Sequence, residues 1–179
     1  MKLDITELLR VPLSNIEYLV DQPCPADLGV ESRSPVTGHL VFSSTSNLLM
    51  IRGEFKADLV LECVRCLEHM VVSVCAQIEE DFRLRGHQIV SGADQSEGEE
   101  LDENLLAVFR NGELDLDEYI RQHLLLAMPL FPLCKEDCLG LCPHCGKNLN
   151  TGKCDCPDED YLFSPFADLA RRLRDLDSQ

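Results

Sequence analysis

Four close cysteine pairs constrain the fold of this chain more than any other feature. Eight of its ten cysteines fall as Cys63 and Cys66, Cys134 and Cys138, Cys142 and Cys145, and Cys154 and Cys156. Three pairs lie in one 23-residue stretch, CKEDCLGLCPHCGKNLNTGKCDC, and the fourth stands far upstream. Two thiolates on one tight turn can share an ion, so spacing of this kind suits metal coordination. The pairs therefore mark where distant segments can be clamped together.

The compartment decides between metal and disulfide. The N-terminal MKLDITELLR lacks the basic start and long apolar stretch of a secretory signal, and no apolar run approaches the ~20 residues of a membrane span. A cytoplasmic location is the expectation. There the reducing poise disfavours structural disulfides and points ten cysteines toward metal first and redox chemistry second. The 179 residues are enough for one core, and the formal net charge is −16. Such a charge opposes unassisted binding to phosphate backbones but suits a basic protein partner.

The charge is concentrated. Residues 79–118 carry thirteen acids against three arginines, and SGADQSEGEELDEN (91–104) has six acids and no base. That stretch has too little apolar surface to offset its ordering entropy and reads as a mobile acidic loop. Before it, period-two alternation predicts strands with one buried face. Phe55, Ala57, Leu59 and Leu61 alternate with Glu54, Lys56, Asp58 and Glu62, and Met70, Val72, Val74, Ala76 and Ile78 with mainly polar neighbours. Residues 36–42 and 47–53 read as two more strands, and KLDI as a short one. Short connections make the sheet antiparallel. After the loop, residues 105–109 are strand-like and Asn111-Gly112 is a turn pair. A helix over 115–128 follows, with Asp115 as its cap, Glu118 to complete a capping box, and Pro129 as its stop. Its apolar stripe holds Leu116, Tyr119, Ile120, His123, Leu124 and Ala127, which makes His123 a packed core histidine before a metal ligand. A last helix is expected from Ser164, with Pro165 in its first turn and a stripe of Phe166, Leu169, Ala170 and Leu173.

Each cysteine pair has its own chemistry. LECVRCLEH sits between two predicted strands, so Cys63 and Cys66 belong at a hairpin tip. A redox dithiol would instead favour a helix N-terminus, where the dipole lowers a thiol pKa. CPHCG has the form of a zinc knuckle, with Gly146 supplying the backbone conformation needed after the second ligand. The spacing of Cys134 and Cys138 also suits zinc. The C-x-C spacing of Cys154 and Cys156 is tighter than usual and leaves one of them as a candidate bystander. The expected pairing joins Cys63 and Cys66 to Cys134 and Cys138, and Cys142 and Cys145 to Cys154 and Cys156, giving two zinc ions. One ion held by the C-terminal cluster alone is the alternative. Structural zinc contributes roughly 10–16 kcal/mol in small modules. Four thiolates leave no open position for substrate, so such sites are structural. His144 is flanked by better ligands, and Cys24 and Cys75 read as buried or semi-buried thiols. The sequence has no nucleophile elbow, phosphate loop, dinucleotide fingerprint or HExxH motif, so neither an enzyme nor a small-molecule substrate is expected.

LECVRC after an alternating strand, LLLAMPLFPLCKEDCLGLCPHCGKNLN after a helix, and SPFADLARRL near the end together resemble the bacterial and plastid YceD family. The resemblance spans nearly the whole chain. It implies a non-catalytic role in accumulation of large-subunit (23S) ribosomal RNA, hence in large-subunit assembly. The implied partner is a ribosomal protein or a large-subunit assembly intermediate. Arg52, Arg65, Arg83 and Arg85 are weighed as a local patch for precursor 23S rRNA, against the favoured reading of them as scattered solubilising groups. A zinc-ribbon scaffold in another assembly and a thiol-redox or redox-switched chaperone are the alternatives.

The expected fold is α+β: an antiparallel sheet or partly closed barrel with a few helices and a cysteine-rich, zinc-ribbon-like module. Its expected divisions are a sheet domain over 1–133, the metal module over 134–156, and a C-terminal helix over 157–179 packing back on the domain.

Overall fold

The computed structural model describes residues 1–85, 88–90, 108–110 and 112–156. The acidic stretch 91–104 and the expected last helix lie outside them. The described residues fall into two compact units, one drawn from residues 1–64 and 68–134 and the other from residues 65–67 and 135–156.

The first unit is built on an antiparallel sheet in the simple order β2 (Asn15–Gln22), β3 (Val36–Ser44), β4 (Leu48–Glu62), β5 (His69–Arg85), β6 (Gln88–Val90). A second antiparallel sheet takes the order β1 (Lys2–Asp4), β8 (Glu113–Asp115), β7 (Phe109–Arg110). Neither sheet closes on itself among the described residues, so the partly closed barrel is corrected to open sheets. Among the described residues two helices accompany them, α1 (Thr6–Arg10) and α2 (Leu116–Ala127), with a 3-10 turn at Ala26–Leu28.

The alternation read from sequence is the sheet's buried face. Leu49, Ile51, Phe55, Ala57, Leu59 and Leu61 of β4 are buried, as are Val74, Ala76 and Ile78 of β5. The two segments expected as separate strands, 47–53 and 54–62, are one strand, because the buried parity runs unbroken through Gly53. That glycine has φ +147°, and a Cβ there would lie 2.1 Å from the His39 carbonyl oxygen. Glycine therefore lets β3 and β4 approach closely while hiding the strand's continuity from a reading by hydrophobicity.

β4 and β5 pair from Leu48↔Arg83 to Glu62↔His69, whereas β3 accompanies β4 only as far as Thr37↔Lys56. The distal ribbon is shielded on its open side by an extended segment. Val60 donates to Glu31 O at 2.8 Å and Arg33 to Asp58 O at 2.8 Å. Covering an edge in this way removes a template for unwanted pairing.

Helix α2 begins where expected, with the Asp115 carboxylate accepting from the Glu118 N–H at 3.5 Å. The reciprocal half of the capping box is replaced. Glu118 Oε1 accepts from Arg121 and Gln122, and its Oε2 from Arg121 Nε. The stripe faces the core, with Leu116, Tyr119, Ile120 and Leu124 buried. Asn111 lies outside the described residues, but Gly112 has φ +80° between the paired β7 and β8.

Candidate metal centres

The β4–β5 hairpin ends in a six-residue loop whose geometry follows from two features. The Cys63 N–H donates to Glu68 O at 2.9 Å, closing the turn. Leu67 adopts φ +59°, a left-handed conformation uncommon outside glycine. Together they turn Cys63 and Cys66 inward, and both are buried. The sequence-based placement of this pair at a hairpin tip is what the chain adopts.

Residues 142–147 repeat the same turn. Cys142 N–H donates to Lys147 O at 2.9 Å, and Gly146 takes φ +71° at the position equivalent to Leu67. Backbone N–H groups of Cys145 and His144 face the Cys142 sulfur and hold its thiol down to about 6, well below the ordinary value for cysteine. Amides aimed at sulfur favour the thiolate, the form that binds metal. Cys156 is pushed the other way, up to about 12, chiefly by hydrogen bonding to Cys145 together with burial and the nearby Cys142 sulfur.

The sulfurs of Cys63, Cys66, Cys134 and Cys138 lie within 4.8 Å of one another, and so do those of Cys142, Cys145, Cys154 and Cys156. In a tetrahedral site with Zn–S of about 2.3 Å the sulfurs stand about 3.8 Å apart. Cys142 and Cys154 are already at 3.4 Å. The donor set and spacing of both groups therefore fit a four-thiolate ion site. Cys154 and Cys156 both lie in the second group despite their tight spacing, because the chain between them bends enough for both sulfurs to reach it. The groups differ in exposure. Cys63, Cys66 and Cys138 are buried and Cys134 exposed, whereas Cys142 alone is buried in the second group.

The remaining candidates are placed elsewhere. His123 packs edge-on against Phe55, with ring centroids 6.3 Å apart. Its Nδ1 is 2.8 Å from Tyr119 O and its Nε2 3.3 Å from Glu80 Oε1, while the Tyr119 hydroxyl donates to Glu80 Oε2 at 2.8 Å. It is the packed histidine expected. His144 is exposed and belongs to neither group. Cys24 is half-buried, but Cys75 is exposed, correcting the reading of it as a buried or semi-buried thiol; it sits on the face of β5 opposite Val74 and Ala76. Of the arginines weighed as an RNA patch, Arg52 is held by Asp81 at 2.5 Å and donates to Glu80 O at 2.7 Å, and Arg65 donates to Cys138 O at 2.8 Å. Arg83 is exposed, and the side chain of Arg85 lies outside the described residues.

Asn150 is the residue that sequence reading passed over. Its Nδ2 donates to the Cys138 sulfur at 3.3 Å and its Oδ1 accepts from the Leu139 N–H at 3.0 Å. Its one sequence signal is position, an amide in a polar loop between two cysteine pairs. Among the described residues, no helix is long and apolar enough to cross a membrane.

Comparison with known proteins places this geometry in context. A family model described as "Large ribosomal RNA subunit accumulation protein YceD" matches residues 51–171, which include all eight paired cysteines. An uncharacterised protein of Mycobacterium leprae is 27% identical over 151 residues, covering 82% of this chain and 66% of that protein. A Zea mays protein described as "Large ribosomal RNA subunit accumulation protein YCED homolog 1, chloroplastic" is 25% identical over 148 residues, covering 72% of this chain and 50% of its own. Its Arabidopsis thaliana namesake is 33% identical over 64 residues, 35% of this chain and 20% of its own. The chain thus spans about two thirds of the mycobacterial relative and half or less of the plant ones. No solved structure matches.

Proposed function

The chain belongs to the YceD family, and on that premise we propose that it is a non-catalytic factor in large ribosomal subunit biogenesis, supporting accumulation of 23S rRNA. The observation that carries this reading is the family match, which runs from the sheet through both cysteine groups. The plant relatives' names, which refer to large ribosomal RNA subunit accumulation, support the same role.

Each cysteine group holds one structural zinc in this reading. Zinc bound by four thiolates supplies folding energy and no vacant coordination position, which agrees with a factor that performs no chemistry. The net charge of −16 favours a basic partner, such as a ribosomal protein met alone or within an assembly intermediate. The engaged guanidinium groups of Arg52 and Arg65 weigh against a broad RNA-binding patch made from those residues. The compartment is the bacterial cytoplasm, or the stroma where the host carries plastids.

Depletion of the protein followed by sucrose-gradient profiling tests the role. The expected result is a deficit of mature large subunits and 23S rRNA with small subunits preserved. Normal levels of both subunits would instead support a scaffold in another assembly. A salt titration of the purified protein against precursor 23S rRNA separates the partners, because contact through phosphates weakens steeply with salt.

A further inference from the structure

A short piece of chain joins the two cysteine groups, and the side chain of Asn150 reaches from one to the other. Only Leu139, Gly140 and Leu141 separate Cys138 of the first group from Cys142 of the second. This piece pairs antiparallel with residues of the loop that the second group closes. Leu141 bridges to Asn148, and Leu149 donates to Gly140 O at 2.9 Å. Asn150 extends the pairing with its side chain. Its Oδ1 accepts from Leu139 N–H at 3.0 Å, and its Nδ2 donates both to Asn148 Oδ1 at 2.9 Å and to the Cys138 sulfur at 3.3 Å.

These contacts fix which way the amide points. The Leu139 N–H can only donate, so the oxygen of Asn150 must face it and the NH2 must face the sulfur. Asn148 Oδ1 reinforces this by accepting from the Asn150 backbone N–H at 2.9 Å as well. A hydrogen bond to sulfur favours the thiolate and orients it, and losing such a partner typically costs 10–100-fold in metal affinity. Yet Asn150 lies in the chain between Cys145 and Cys154, the loop whose ends the second group ties together. An ion in the second group therefore orders the donor that serves the first.

Resting on the zinc reading of both groups, we infer that the two sites fill cooperatively and that Asn150 is the positioning residue linking them. Coupling of this kind is reciprocal: an ion in either group strengthens the other by one common factor.

Zinc titration of the full chain under reducing conditions, against a competing chelator, tests this. The two-ion binding constant of the wild type is compared with the product of the single-ion constants of two half-site variants, Cys63→Ser/Cys66→Ser and Cys154→Ser/Cys156→Ser. Cooperative filling makes the wild-type constant exceed that product by about 10–100-fold. Asn150→Ala and Asn150→Asp, which keep all eight cysteines, do not depend on the half-site variants remaining folded. Each should still bind two ions, with the two-ion constant lowered about tenfold or more. In cobalt-substituted protein, filling should change from one concerted rise of the thiolate charge-transfer band to two resolved steps. Two ions filling independently in the wild type, or Asn150 variants that match it, would overturn the link while leaving the metal sites standing. A wild type that binds no zinc would remove the metal reading itself.

Discussion

The sheet unit and the cysteine segment are held together by different physics. The first has a continuous apolar core in which Phe42, Phe55, Leu114, Tyr119 and Ile120 are almost wholly buried. In residues 135–156 the buried positions are Cys138, Gly140 and Cys142. Two cysteines and a glycine cannot provide the apolar burial that offsets chain entropy. What the cysteine segment does have is sulfur, arranged at coordination spacing. A short polar stretch can thus have a defined structure without a core, provided that ions do the cross-linking.

The largest expected effect follows directly. Stripping metal with a strong chelator under reducing conditions should abolish the structure of residues 135–156, since structural zinc contributes roughly 10–16 kcal/mol in small modules. Hydrogen exchange read by mass spectrometry is the measurement. Amides such as Leu149 N–H and Cys142 N–H should exchange at unfolded-chain rates, while β3 and the proximal part of β4 keep their protection. Protection persisting at 135–156 without metal would break the contrast.

The reverse perturbation comes next. Phe55→Ala removes a ring from the centre of the sheet unit and should destabilise it by about 3–5 kcal/mol, measured by urea unfolding of zinc-loaded protein. The Cys142 group should keep its metal at urea concentrations that melt the mutant sheet. Simultaneous loss of both would mean that the segment borrows its stability from the sheet.

This division also explains what could be read in advance. Strand β4, the inward face of β5 and helix α2 announce themselves by period, because burial on one face imposes it. The four cysteine pairs are legible from spacing, and the chain brings them into two sulfur groups of the kind that suits coordination. Helix α1 has five residues, too few for a periodic signal. Strand β2 puts Leu19, 80% exposed, where alternation calls for a polar residue. The exposed face of Cys75 could have been deduced from the parity of Val74 and Ala76. The role of Asn150 could not, since it depends on a loop returning to a residue twelve positions away.

A smaller effect probes a polar seam in the sheet unit. Burial alone would pull the His123 pKa down, but its hydrogen bond to Glu80, its bond to Tyr119 O and the Glu80 charge together raise it above the ordinary 6.5. Burial likewise opposes the Glu80 carboxylate, yet bonds from His123 and Tyr119 lower it below the ordinary 4.5. The histidine contribution is complete below pH 6.5 and fades as pH rises through its folded value. The glutamate contribution is complete above pH 4.5 and fades as pH falls through its own. The pair therefore supports the fold best between about pH 4.5 and 6.5. His123→Phe should flatten the decline in sheet stability from pH 6 to 8, measured by urea midpoints. Metal retention by the Cys142 group should change equally in mutant and wild type.

The smallest effect compares the two turns that present the first cysteines of each group. Leu67 and Gly146 hold the same left-handed conformation, at φ +59° and +71°. A non-glycine residue there costs about 1–2 kcal/mol. Strain of this kind persists where surrounding structure over-determines it. Leu67 closes a ribbon whose pairing runs from Leu48↔Arg83 to Glu62↔His69, so the sheet enforces the turn. Gly146 sits in a segment with no comparable frame, where glycine supplies the conformation unaided. Leu67→Gly should relieve strain but enlarge the unfolded ensemble, netting a gain of roughly 1 kcal/mol or less. Gly146→Ala meets nothing within 4 Å, so its penalty is the backbone term alone, about 1 kcal/mol. That penalty should appear as about fivefold weaker zinc binding at the Cys142 group and leave the urea midpoint of the sheet unchanged. A gain from Leu67→Gly that appeared as tighter zinc binding at the Cys63 group, with the urea midpoint of the sheet unchanged, would show that the sheet does not impose its turn and that the two knuckles are held alike.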